Sequence, residues 1–166
     1  MKADNAFHSV QIKSAAKITP ESQLRSLIEK FDPTDQKLVR SVRSALRKRF
    51  PTANELVYDY GTSLVIAYSP TEHGVESIVS TAARTDGVRL YFMHGPQLPD
   101  PKKLLMGSGK QARFIPVKSA KELVNPDVEA LIAAAIDQAS VPLPSTGRGR
   151  LVIKPTAASR RGSGAV

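Results

Sequence analysis

Lys37, Arg40, Arg43, Arg47 and Lys48 recur through a stretch whose apolar residues, Leu38, Val39, Val42, Ala45, Leu46 and Phe50, follow helical spacing. At about 100° per residue the two sets fall on opposite sides of one helix. A face with several like charges raises the local potential and attracts phosphates or an acidic protein surface. A plainer reading competes with this one: basic side chains solvate an exposed helix, and Arg47, Lys48 and Arg49 suit the negative end of its dipole. Further cations, Arg148, Arg150, Arg160 and Arg161, stand in a stretch from 140 to 166 that has no acid. Gly147-Arg148-Gly149-Arg150 is similar to the core of a minor-groove AT-hook, except that Leu151 replaces that motif's proline. The charge therefore suggests a nucleic acid or an acidic protein as partner, and names neither.

Other chemistry finds less support. Gly107-Ser108-Gly109-Lys110 invites comparison with a phosphate-binding loop, whose backbone amides cradle phosphate while a lysine reaches its outer oxygens. The spacing fails, because Leu104 stands where the first glycine belongs and Gln111 where Ser or Thr follows the lysine. The segment reads instead as a turn needing positive φ. His8, His73 and His94 are far apart, and no helix combines histidine with carboxylates at ligand spacing. Cysteine is absent, which removes disulfides, thiolate ligands and thiol nucleophiles together. No serine sits in a G-x-S-x-G turn, so no catalytic constellation is expected. Tyr58, Tyr60, Tyr68, Tyr91 and Phe92 could line a pocket between sheet and helices, although strand aromatics more often fill a core. Tyr58 and Tyr60 share a face and leave open an exposed aromatic patch.

The elements that would position these residues follow from caps and periodicity. Thr19-Pro20 opens a first helix with Leu24, Leu27, Ile28 and Phe31 at spacings of three and four, and Asp32-Pro33 opens a second that stops at Pro51. Beyond it the pattern turns to β-branched and aromatic residues, predicting strands over 55–60, 63–68, 76–84 and 88–94. Asp86-Gly87 suits a tight hairpin between the last two. A helical turn over 102–106, a strand over 112–118 and a short turn from Ser119 to Leu123 come next. Asn125-Pro126 then opens a last helix carrying Val128, Leu131, Ile132, Ala135 and Ile136. This order predicts an α+β fold, a compact two-layer sandwich whose mainly antiparallel sheet is packed on one face by N- and C-terminal helices.

A chain of 166 residues with 41% apolar content is long enough for one sizeable core. No apolar run approaches the roughly 18 residues of a membrane span, and Met1–Pro20 has no apolar leader segment, so the cytoplasm and no membrane are expected. The net charge of +9 is uneven: residues 140–166 hold five cations and no acid, whereas residues 21–139 hold sixteen cations and fourteen acids. The expected organisation is a flexible tail over 1–20, a folded domain over 21–139 and a disordered basic tail over 140–166. Within that tail Leu151–Ile153 offers a weak strand signal.

The helix Leu38–Phe50 ending at Pro51, the segment Glu55–Gly61, the strand Val88–His94 and the stretch Leu104–Leu123, LLMGSGKQARFIPVKSAKEL, resemble the YdhG-like domain family. The resemblance spans roughly residues 21–138, with Gly107, Gly109, Lys110 and Arg113 in its sharpest part. It implies a frataxin-like α+β sandwich and a non-catalytic binding protein. One branch of that family is regarded as an iron chaperone, and frataxin-type iron binding uses an acidic ridge on the first helix and edge strand. The carboxylates that role would use here are Glu21, Glu29, Asp32 and Asp35, after which the second helix turns basic. Iron is thus the one cofactor or cargo that the resemblance implies.

Overall fold

A computed structural model describes residues 16–162. Helix α1 (Pro20–Ile28) opens on a capping box: the Thr19 hydroxyl accepts from the Ser22 amide, and the Ser22 hydroxyl accepts from the Thr19 amide. Helix α2 (Pro33–Arg49) has Asp32 at its N-cap position without a side-chain cap bond, and Pro33 at N1. Then follow β1 (Asn54–Asp59), β2 (Ser63–Ser69), β3 (Val79–Arg84), β4 (Gly87–Phe92), β5 (Arg113–Val117), α3 (Pro126–Asp137), β6 (Leu151–Lys154) and α4 (Ala157–Gly162). The six strands form one sheet in the order β5-β4-β3-β2-β1-β6. The first five pair antiparallel in sequence, whereas β6 adds to the edge of β1 in parallel. The fold is α+β, with helices packed on a mixed sheet.

Strand alternation divides the sheet into two faces. Val57, Leu64, Ile66, Tyr68, Val79, Ala83, Val88, Leu90, Phe92 and Val117 turn toward the helices and meet Leu24, Ile28, Val39, Val42, Leu46, Leu131 and Ile132 in one core. Leu151 and Ile153 of β6 extend that floor, and α1 packs over this edge of the sheet.

Three expectations are corrected. The stretch from 140 to 166 is not a disordered tail where it is described: residues 151–154 pair with 55–58, and the Glu55 amide donates to the Arg150 carbonyl at 2.8 Å. Its composition is poor in apolar residues, yet Leu151 and Ile153 are enough to complete an edge that the rest of the fold has already built. The helical turn expected over 102–106 is instead a tight turn, closed by the Lys103 amide donating to the Asp100 carbonyl at 3.1 Å with Lys103 at φ 53°, and irregular chain that leads to Met106, which is bridged to Phe114. The third strand begins at Val79, not Glu76, because Gly74–Glu76 forms a 3-10 turn. Residues 1–15 of the expected N-terminal tail, including His8, and residues 163–166 lie outside the described residues.

Candidate functional site

The basic face of α2 lies against the place where the chain leaves that helix and where the C-terminal segment returns. Phe50, Pro51 and Ala53 turn the chain from α2 into β1, and Arg148-Gly149 docks beside this turn. The Gly149 amide donates to the Pro51 carbonyl at 3.1 Å, and the Arg150 amide donates to Asn54 Oδ1 at 2.9 Å. The approach demands glycine, since a Cβ at position 149 would stand 1.6 Å from the Ala53 carbonyl oxygen.

Between α2 and this segment runs a cleft of about 520 Å³, lined by Arg40, Arg43, Arg47, Lys48 and Arg148 and by a single carboxylate, Glu55. Glu55 is 4% exposed and stands at the centre of a charged network. Arg43 grips it in bidentate fashion, Nε to Oε2 at 2.8 Å and Nη2 to Oε1 at 2.9 Å. Arg47 Nε approaches Glu55 Oε1 at 3.4 Å, and the Tyr68 hydroxyl donates to Oε2 at 3.3 Å. Glu21 on α1 closes the outer side, accepting from Arg43 at 2.8 Å and from Arg47 at 3.3 Å.

The ionisation of these groups follows from their contacts. Burial works against the charged form of Arg43, but the hydrogen bonds it donates to Glu55 and Glu21 outweigh it and raise its pKa above the usual guanidinium value. The hydrogen bond from Arg43 holds the Glu21 carboxyl below the ordinary glutamate range. Burial, reinforced by the Glu55 charge, pushes the Tyr68 phenol well up. At neutral pH Arg43 and Glu21 therefore carry their charges and Tyr68 is neutral.

Of the cations singled out in the sequence, Arg40, Arg43, Arg47, Lys48 and Arg148 come together here. Arg43 is the exception to the exposed face expected of it, with a side chain only 15% exposed and committed to Glu55. Arg40, Lys48 and Arg148 are exposed and have no acid partner among the described residues. Lys37 is exposed on α2 outside the cleft, Arg150 pairs with Glu72, and Arg160 and Arg161 sit on α4. The AT-hook-like Gly147–Arg150 run is the entry to β6, with Gly147 at φ 89°.

The carboxylates nominated for iron do not gather. Glu21 is tied to two arginines, Asp32 and Asp35 occupy the start of α2, and Glu29 caps α1 through its backbone. Among the described residues no group of three or more His, Asp or Glu side chains stands close enough to hold a metal ion. His73 and His94 are both exposed; His94 borders a small depression with Lys110 and Gln111. Gly107 adopts φ 105° in the turn before β5, and Arg113 bonds the Gly109 carbonyl, folding that motif on itself.

The aromatic residues split between the two faces. Tyr68 and Phe92 fill the helix-side core, whereas Tyr58 and Tyr60 stack on the other face, with centroids 6.0 Å apart and planes 4° from parallel. Tyr91 packs on Phe114, under the Arg89 guanidinium. Glu55 and Arg148 were missed as partners of α2. Comparison of the chain with protein-family models, with curated proteins and with solved structures found no match.

Proposed function

We propose that the chain is a non-catalytic binding protein whose cleft between α2 and Arg148-Gly149 receives a phosphate-bearing ligand. The observation that carries this reading is the imbalance of charge in one concave site: five cations line it against one buried carboxylate that is already paired. Guanidinium and ammonium groups donate hydrogen bonds to phosphate oxygens without exchanging protons at neutral pH, which suits recognition and not acid–base catalysis. Glu55 supports the same role by fixing Arg43 and Arg47 in place. The resemblance of Leu104–Leu123 to the YdhG-like family agrees with a binding function.

Titration of isotope-labelled protein with inorganic pyrophosphate tests the reading. Saturable amide shifts are expected at Lys48, Arg148 and Gly149. If those amides remain unmoved up to about tens of millimolar, a range in which even weak anion sites fill, the reading is wrong.

A further inference from the structure

The cations of the cleft are strung out in a row. Arg40 and Lys48 lie eight residues apart on α2, about 12 Å along its axis at 1.5 Å per residue. Next to the cleft, a depression of about 380 Å³ between α1 and α2 is lined by Glu21, Arg25, Arg40 and Arg43 among others. The two depressions share Arg40 and Arg43, so they adjoin and carry the row onto Arg25 of α1. Arg25, Arg40, Arg47, Lys48 and Arg148 are all exposed along it. Glu55 is buried against Arg43 and Arg47, and Glu21, half-exposed, bridges the same two arginines, so the five exposed cations of the row outnumber its one exposed carboxylate.

A compact anion is best held by donors converging on one point, which this arrangement lacks. A linear polyanion is matched by charges at intervals. Successive phosphates of a B-form strand are spaced by about 3.4 Å along the axis, and an unpaired strand is more extended, so a 12 Å row meets at most about three or four of its phosphates. We infer that the groove is a track for the sugar–phosphate backbone of a single-stranded nucleic acid, which runs along α2 from Arg25 to Arg148. The inference deepens the phosphate-binding reading and rests on it. The walls raised by α1 and by Arg148-Gly149 favour one backbone over the paired backbones of a duplex. Contacts confined to the backbone make the binding insensitive to base sequence.

The test is the salt dependence of binding to a fluorescent oligothymidylate of about 12 nucleotides, followed by anisotropy. With five phosphate contacts, the plot of log affinity against log salt should have a slope of about −3.5. Arg148→Ala and Lys48→Ala should each make the slope shallower by roughly 0.7 to 1 and weaken binding about threefold or more, whereas Arg161→Ala on α4 should change neither. Both groove residues are exposed, and circular dichroism checks that the variants fold. If pyrophosphate binds but the oligonucleotide binds no more tightly, with a slope near about −1, the polyanion track is overturned and the phosphate reading stands. If neither binds, both fall. A duplex of equal length that binds as tightly as the single strand overturns the single-strand assignment, and polyglutamate that competes as well as the oligonucleotide overturns the nucleic-acid assignment.

Discussion

Glu55 shows how one side chain organises the groove without facing a ligand. It is buried, and burying a carboxylate is tolerable only because Arg43 and Tyr68 donate hydrogen bonds to it and Arg47 adds an ion pair. Removing the main partner should therefore cost more than the pair is worth. Arg43→Met is expected to destabilise the protein by about 3 kcal/mol in urea denaturation, while Arg43→Met combined with Glu55→Leu should cost clearly less. Equal or larger loss in the double variant would mean that the pair itself stabilises the fold. Little of this was legible in the sequence. The run Glu55–Tyr60 alternates Glu, Val, Asp with Leu, Tyr, Tyr, and hydrophobicity alone would turn the second set toward the helices. The register does the reverse, because α2 offers Arg43 to Glu55 and Lys30 approaches Asp59 at 3.4 Å. A polar residue is placed inward only when its partner is known, and that partner lies elsewhere in the sequence.

At the scale of elements, α2 was readable from residues alone. Its proline start, its apolar stripe and its basic side are local properties, and all appear in the structure. The strand β6 was not, since four residues in a glycine- and proline-rich stretch carry almost no local signal. Their strand state comes from the open edge of β1 and from the need of α1 for a floor under Leu24 and Ile28. Gly149 is the hinge on which this depends. Gly149→Ala should force the segment away from Ala53 and lower the urea midpoint by an amount equivalent to roughly 1–3 kcal/mol, the usual cost of overpacking. It should also weaken phosphate binding by withdrawing Arg148. A variant of unchanged stability would mean that the segment rests against β1 without being fitted to it.

The whole molecule changes the meaning of the charge. With the C-terminal stretch set aside as a tail, the remaining domain looked nearly balanced. Once β6 is docked, residues 16–162 contain twenty-two Lys and Arg against fourteen Asp and Glu, and part of that excess lines one groove. No helix among the described residues is long and apolar enough to cross a membrane. The groove is thus a joint product of the two ends of the fold, α1 and α2 from one and Arg148 from the other. Ligand and docking should then be linked, because a ligand held by Arg148 favours the docked state. Amide hydrogen exchange reads that linkage at two bonds, Glu55 to the Arg150 carbonyl and Gly149 to the Pro51 carbonyl. Saturating pyrophosphate should slow exchange at both amides while leaving the Leu90 amide, on the interior strand β4, unchanged. Exchange that is identical at Glu55 and Gly149 with and without the anion would contradict a binding site built jointly by α2 and the C-terminal segment.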